Sequence, residues 1–246
     1  MEPVTPAFSM PPVGGAYPPP PYLYHRGEEL VAAFETDEAV ARALVPPALE
    51  IRRPARGVVR FVRHEASPFG PYSGAYVGVQ ARWRDRDVVY MLFGLKSDFA
   101  GTAAGREIWG MPLKVGDVRL RWRGDQLVAT ARRAPEAVLC RLTAELLAAV
   151  PAAGPPRAIP AVFLKRIPPA EAAGAPADAL VLVGTSPGTE GEPPRGVWEA
   201  RVHLELRTGG PSDPWGLLPV GATRGARYLR GGTIELGYGE VVAPGS

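Results

Sequence analysis

Cysteine, histidine and lysine are all scarce in this chain, and each scarcity removes a class of chemistry. A single cysteine, Cys140, excludes an intrachain disulfide and any multi-cysteine metal site. It lies in an apolar run and reads as a small buried hydrophobe. The three histidines, His25, His64 and His203, are too dispersed to suggest a metal site. Lysine occurs only as Lys96, Lys114 and Lys165, so any amine chemistry is confined to those positions. No apolar run approaches the ~20 residues that span a bilayer, and the N-terminus lacks a charged start followed by an apolar signal core. The expectation is a soluble, cytoplasmic protein with no membrane partner. An excess of one charge is missing as well. With 28 basic and 25 acidic residues the net charge is +3, which supplies no basic stripe for nucleic acid. There is no phosphate-binding glycine loop, no dinucleotide fingerprint and no G-x-S-x-G nucleophile motif, so no cofactor is expected.

Glycine and proline, at 29 each, are abundant and cluster between periodic segments. Eight prolines within residues 1–21 predict an extended N-terminal arm. Glu29 to Glu35 reads as the first ordered element, with Thr36 capping a helix from Asp37 to Leu44 that Pro46 and Pro47 end. Strand patterns follow at Gly57 to His64, and at Ala75 to Trp83 and Val88 to Leu95 around the charged turn Arg84-Asp85-Arg86-Asp87. Ser97 and Asp98 open a short helical turn that Gly105 is expected to stop. Val118 to Arg123 and Gln126 to Arg132 form a hairpin across Gly124-Asp125. Val138 to Val150 fits either a helix or a long strand, and its hairpin neighbours favour strand. Beyond the proline-rich connection at 152–160, apolar or alternating runs lie at Ala161 to Ile167, Ala179 to Val183, Gly196 to Leu206 and Thr223 to Val241. Many strands and few short helices predict a mainly β (α+β) fold. Its sheet is antiparallel and strongly curved, or closed as a β-barrel.

The most informative segment is Gly105-Arg106-Glu107-Ile108-Trp109-Gly110-Met111-Pro112-Leu113-Lys114-Val115-Gly116. It resembles the signature of the acetoacetate decarboxylase family, in which a Gly-Arg-Glu turn precedes a proline and two consecutive lysines. Further segments resemble the family in order: Pro21 through Asp37, Val45-Pro46-Pro47-Ala48-Leu49-Glu50, Val59-Arg60-Phe61, Phe163-Leu164-Lys165-Arg166-Ile167-Pro168 and Leu218-Pro219-Val220. The resemblance implies a single β-rich domain over 22–246, curved around a central pocket and oligomeric, whose first signature lysine forms an imine with a ketone, its amine pKa lowered by an apolar site and a neighbouring ammonium. Leu113 stands at that imine position here. The family's acidic partners match Val62 and Gly74, and its arginine aligns to Gly27, with Arg26 one place away.

Strand alternation sets Leu113 and Lys114 on opposite faces, so Lys114 serves as the amine only if a bulge turns it inward. Lys165 reads as a structural ion pair, and Lys96 and His64 as exposed groups. Arg106 and Glu107 either brace the signature turn or orient a carbonyl and carry a proton. Tyr72, Tyr76, Gln80 and Tyr90 either donate hydrogen bonds to an enolate or ketone oxygen or simply pack. Arg106, Glu107, Tyr76 and Lys114 are thus the candidate catalytic residues. Trp109, Met111, Leu113, Tyr72, Gly74, Gln80, Tyr90, Arg26 and Val62 are the candidate substrate contacts. The function expected is non-covalent catalysis, a cyclisation, dehydration or rearrangement of a small hydrophobic, polyketide-like carbonyl compound by a homo-oligomer. The alternatives are a β-keto acid decarboxylase or aldol-type enzyme using Lys114, and a ligand-binding protein without turnover.

Overall fold

The computed structural model describes residues 7–151, 159–186 and 192–244. Most of the predicted 152–160 connection, part of the 184–195 loop and the first six residues of the arm lie outside these. Among the described residues the strands of the first half are β1 (Tyr22–Glu35), β2 (Glu50–Ile51), β3 (Arg56–Ala66), β4 (Tyr72–Trp83), β5 (Arg86–Lys96) and β6 (Leu113–Val115). Then come β7 (Asp117–Arg123), β8 (Gln126–Arg132), β9 (Val138–Val150), β10 (Ala161–Ile167), β11 (Ala177–Val183) and β12 (Thr185–Ser186). The last four are β13 (Gly196–Leu206), β14 (Thr223–Arg230), β15 (Thr233–Leu236) and β16 (Glu240–Pro244).

All sixteen belong to one sheet, whose main path is β16-β11-β10-β5-β4-β3-β1-β14-β13-β9-β8-β7. It curls until β7 packs across β3, β4 and β5, but its two ends do not pair. The curved form of the prediction therefore holds and the closed barrel does not. Nor is the sheet wholly antiparallel, because β5 runs parallel to both β6 and β10.

Alternation explains which side of each strand enters the main core. On β4 the odd residues Ala75, Val77, Val79, Ala81 and Trp83 are buried there, joined by Leu30, Ala32 and Phe34 of β1 and Val59 and Phe61 of β3. The even residues of β3 and β4 are turned to the other face. β9 is a strand because β8 and β13 take up its backbone hydrogen bonds on both sides, which a helix could not offer them. Its Cys140, Leu142 and Ala144 are core residues, and burial pushes the Cys140 thiol well above its ordinary range.

Several boundaries differ from expectation. β1 begins at Tyr22 rather than Glu29. The helix α1 (Glu38–Leu44) is capped by Asp37, whose carboxylate accepts from the Val40 amide at 2.8 Å. Thr36, the expected cap, instead donates to the Pro219 carbonyl. The turn after Asp98 becomes α2 (Ala100–Ala104) and passes through Gly105, at a helical φ of −59°, into a π-helical turn over Gly105–Trp109. Gly110, at φ 78°, ends it. The run from 223 to 241 is broken at Gly231 and Gly232, both at positive φ. No helix among the described residues is long and apolar enough to cross a membrane.

Gly110 is doubly constrained, since a Cβ there would also strike the Lys165 backbone. Gly110→Ala is expected to destabilise the protein by at least about 2 kcal/mol in urea unfolding. Gly124→Ala has positive φ but open space, and should lose only about 1 kcal/mol. Equal losses would contradict the close packing of the signature turn on β10.

Candidate functional site: a polar face across four strands

The register of β1, β3, β4 and β5 aligns the even face into three rungs. One rung is Arg26, His64 and Tyr72; the next is Glu29, Val62, Gly74 and Lys96; the third is Val31, Arg60, Tyr76 and Gly94, continued by Leu113 of β6. A bulge in β1 lies around Gly27, because the β1–β3 register shifts on both sides of Arg26. It turns Arg26 onto the face.

Glu29 is the electrostatic centre of the face. Its Oε2 accepts from Arg26 Nη1 at 3.0 Å and from Arg60 Nη2 at 3.0 Å. Burial would raise this carboxyl, but the guanidiniums of Arg60 and Arg26 overcome that and hold it at about 2. Burial likewise opposes the Arg60 charge, and Glu29 more than compensates, so Arg60 stays protonated. The Arg60 guanidinium lies over the Tyr76 ring at 5.8 Å. Its side chain remains 32% exposed and Tyr76 is only partly covered, so the face opens to solvent there. Burial raises the Tyr76 hydroxyl far above its usual range, which keeps it a donor.

His64 and Lys96 depart from expectation, since both are 4% exposed. The His64 ring sits 4.8 Å from Tyr24 and 4.9 Å from Tyr72. Burial, with Arg60 and Lys96 adding to it, lowers its pKa to about 3. Lys96 Nζ donates to the Gly101 carbonyl at 3.1 Å and lies over the Tyr72 ring at 4.6 Å. Burial lowers the amine to about 8, Asp98 opposing and Arg60 assisting. Three buried polar atoms of this neighbourhood, Arg26 Nε, His64 Nδ1 and Asp98 Oδ1, have no hydrogen-bond partner.

The signature supplies one residue to this face. A Cβ at Gly94 would meet Leu113 Cδ2 at 2.7 Å and Tyr76 Cδ1 at 3.4 Å, so Leu113 is packed beside Tyr76. Lys114 points away, ion-paired to Asp213 at 3.0 Å and bonded to the Ser212 carbonyl. Arg106 bonds the Leu113 carbonyl at 3.0 Å and so braces the turn, while Glu107 accepts from the Tyr17 hydroxyl of the N-terminal segment. Trp109 is buried, donating to the Gly237 carbonyl at 3.1 Å, with Tyr22 edge-on at 5.6 Å. Met111 packs beside Gly105. Lys165 makes a hydrogen bond to the Ile108 carbonyl at 3.1 Å rather than the expected ion pair.

Of the other predicted contacts, Arg26, Val62, Tyr72, Gly74 and Tyr76 come together on the polar face. Gln80 is on the same side of β4 but two rungs beyond Tyr76, opposite Val89. Tyr90 pairs with Val79 and packs in the main core on the opposite face. β5 reverses its alternation at a bulge at Leu92, between the Phe93–Val77 and Met91–Gly78 pairs, which the sequence does not reveal. A separate surface groove of about 290 Å³, lined by Ile108, Lys165, Val181, Tyr238 and neighbours, shares none of the three rungs.

A family profile described as acetoacetate decarboxylase (ADC) matches residues 5–244. The chain belongs to the acetoacetate decarboxylase family. The acetoacetate decarboxylase of Ralstonia nicotianae is 32% identical over 129 residues, covering 52% of each chain. That of Chromobacterium violaceum is 35% identical over 127 residues, covering 50% of each. The chain thus spans about half the length of the curated relatives it matches. The crystal structure of acetoacetate decarboxylase from Legionella pneumophila is 26% identical with a TM-score of 0.80, over 96% of this chain and 94% of that one. The enduracididine biosynthesis enzyme MppR, complexed with pyruvate, has a TM-score of 0.78 at 14% identity, over 100% of each chain, and shares the fold.

Within this family scaffold, sequence reasoning missed Glu29, Arg60, His64 and Lys96. The available signal was the alternation Arg60-Phe61-Val62-Arg63-His64, which sets 60, 62 and 64 on one side. Lys96 stands two residues beyond Gly94 on the same side of β5.

The pKa shifts fix the direction of acid sensitivity. His64 is depressed from 6.5 to about 3, so its contribution to stability is complete above pH 6.5 and is lost as pH falls toward 3. Glu29, depressed from 4.5 to about 2, contributes fully above pH 4.5 and loses that contribution below it. The melting temperature should fall steadily from pH 7 to pH 4.5, and His64→Phe, which keeps a ring between Tyr24 and Tyr72, should flatten that slope. An unchanged slope would place the acid-sensitive group elsewhere.

Proposed function

We propose that this chain is an enzyme on the acetoacetate decarboxylase scaffold that activates a carbonyl compound without an imine at the signature. The substrate carbonyl would lie on the polar face beside Leu113 and Val62. Its oxygen would accept from the Tyr76 hydroxyl and the Arg60 guanidinium. Negative charge that develops on that oxygen is stabilised by donors already fixed in place, so little reorganisation accompanies the reaction. The apolar walls suit a hydrophobic substrate, and the reaction class is cyclisation, dehydration or rearrangement, lyase- or isomerase-like. We also infer that the enzyme works in the cytoplasm as a homo-oligomer.

The observation that carries this reading is the pairing of a fixed cation, Arg60, with a protonated phenol, Tyr76, beside a buried leucine at the position where the resemblance places the imine lysine. The reading with Lys114 as amine has weaker support. That side chain is held by Asp213 and Ser212 on the far side of β6. Pyruvate in MppR is favourable to a small carbonyl compound as a probe.

A panel of β-keto acids and hydrophobic β-diketones, followed by NMR, is expected to yield at least one that turns over. For it, Tyr76→Phe should lower kcat/KM by roughly 10²-fold, as loss of one such donor does, and Lys114→Ala should leave it within a few-fold. Borohydride added with that substrate should leave the protein mass unchanged. Carbon dioxide release from acetoacetate that vanishes in Lys114→Ala would instead establish the decarboxylase reading. Binding without turnover across the panel would make the chain a carrier.

A further inference from the structure

The proposed seat polarises a carbonyl but removes no proton, and enolisation, dehydration and cyclisation all require a base. The titratable groups on the polar face can be compared one by one. Arg26 and Arg60 are committed to Glu29, and Tyr72 and Tyr76 are driven upward by burial, so none of these accepts a proton near neutrality. Glu29 at about 2 and neutral His64 at about 3 are too weakly basic. Tyr24, packed against His64, is raised as well. Asp98 lies beyond the end of β5, off the three rungs, with its Oδ2 accepting the Gly101 amide. Lys96 remains.

Its charged form is supported by the Tyr72 and Phe69 rings and not by a carboxylate. It is almost fully buried, yet among the described residues no carboxylate lies within ion-pair distance of it, and one backbone carbonyl, Gly101 O, is its hydrogen-bond acceptor. A buried ammonium without a carboxylate is costly, so the balance shifts toward the neutral form. At a pKa of about 8, about one molecule in ten carries the free amine at pH 7, against fewer than about one in a thousand for an exposed lysine. The register also sets Lys96 opposite Gly74, which has no side chain to obstruct it. The space over Gly74 is taken by the Tyr76 hydroxyl, 2.6 Å from where a Cβ would stand. The lysine stem and the phenol thus begin on adjoining strands and share one small space.

We propose that Lys96 is the proton carrier of this site: its neutral amine takes a proton from the carbon beside the polarised carbonyl. The C–H electron pair becomes the enolate double bond, and the carbonyl π pair moves to the oxygen held by Tyr76 and Arg60. The Lys96 ammonium then returns its proton to carbon, or to a departing hydroxyl that leaves as water, so the amine is regenerated. To do this Nζ leaves Gly101 O and swings toward the Tyr76 hydroxyl, which lies over Gly74. The inference rests on the reading that the carbonyl lies on this face, but not on the identity of the natural substrate.

The full-length protein is tested with cyclohexanone in deuterium oxide, by the loss of its α-proton signals in NMR. Wild type should accelerate exchange, with a rate that rises with pH and levels off above about 8. Lys96→Met should abolish that limb and reduce the rate at least about 100-fold while cyclohexanone binding changes less than about threefold. Lys96→Arg keeps a cation but cannot act as a base at these pH values, and should not rescue exchange. An undiminished pH limb in Lys96→Met would make Lys96 a structural cation and overturn the proposal. Borohydride reduction that adds cyclohexanone to Lys96 would overturn it in favour of an imine. Binding of cyclohexanone without exchange would refute Lys96 as carrier and leave the carbonyl seat intact, whereas absence of binding would remove both. A second measurement needs no ligand. With only three lysines, the ¹³Cε signals of labelled protein can be assigned by comparison with Lys96→Met, and Lys96 should titrate near pH 8. Titration at 10 or above would refute the proposal whatever the seat binds.

Discussion

The fold of the polar face depends on one carboxylate held between two guanidiniums. Glu29 lies inside the protein, where an unpaired charge could not persist, and Arg26 and Arg60 both reach it at 3.0 Å. That geometry makes demands on three strands. β1 must bulge at Gly27 so that Arg26 and Glu29 face the same way, and β3 must pair with Val31 opposite Arg60. The Arg60 charge can then rest against Tyr76 on β4. Loss of either arginine would leave the carboxylate short of a donor, at a cost of about 3–5 kcal/mol, and loss of Arg60 would also uncover the phenol.

The residues that the family resemblance marks as replaced are mutually consistent on this face. A residue with a side chain at position 74 would collide with the Tyr76 hydroxyl, so glycine there and tyrosine at 76 go together. Val62 lies between Glu29 and Gly74 on the same rung, which spaces the acid of β1 and the amine of β5 about 14 Å apart at their backbones. Leu113 fills the surface over Gly94 and Gly105. The charges of the face therefore sit at positions 26, 29, 60 and 96, with small or apolar residues between them. On the proposed reading, this arrangement suits a polarised carbonyl with an apolar body and gives the proton-moving and charge-stabilising tasks to different strands.

Much of the architecture was legible because strand alternation and turn chemistry are local. Gly124-Asp125 marked the β7–β8 hairpin, and the apolar period of two marked β3, β4 and β13. Closure was not legible, since whether an edge strand pairs or only packs depends on contacts between β7 and β3 to β5 that are distant in sequence. The signature identified the scaffold, and the outward direction of Lys114 followed from alternation alone. The polar face did not, for a physical reason. Lys96 ends a strand beside Ser97 and Asp98, and His64 adjoins Arg63 and Glu65, so each looks solvated in its own neighbourhood. Burial comes from Tyr24, Phe69 and Tyr72, which pairing and ring packing bring together around them. Tyr90 was misplaced for a related reason, as the β4–β5 bulge inverts a parity that sequence treats as continuous.

The central claim is that a carbonyl compound binds to this polar face, over Leu113, and makes no bond to lysine. A crystal structure of the protein with a hydrophobic β-diketone tests it most directly. The account predicts a ligand oxygen within hydrogen-bond distance of Tyr76 Oη and Arg60, with no continuous density to Lys96 or Lys114. A ligand seated instead in the groove between Ile108 and Tyr238, or joined covalently to either lysine, would contradict it.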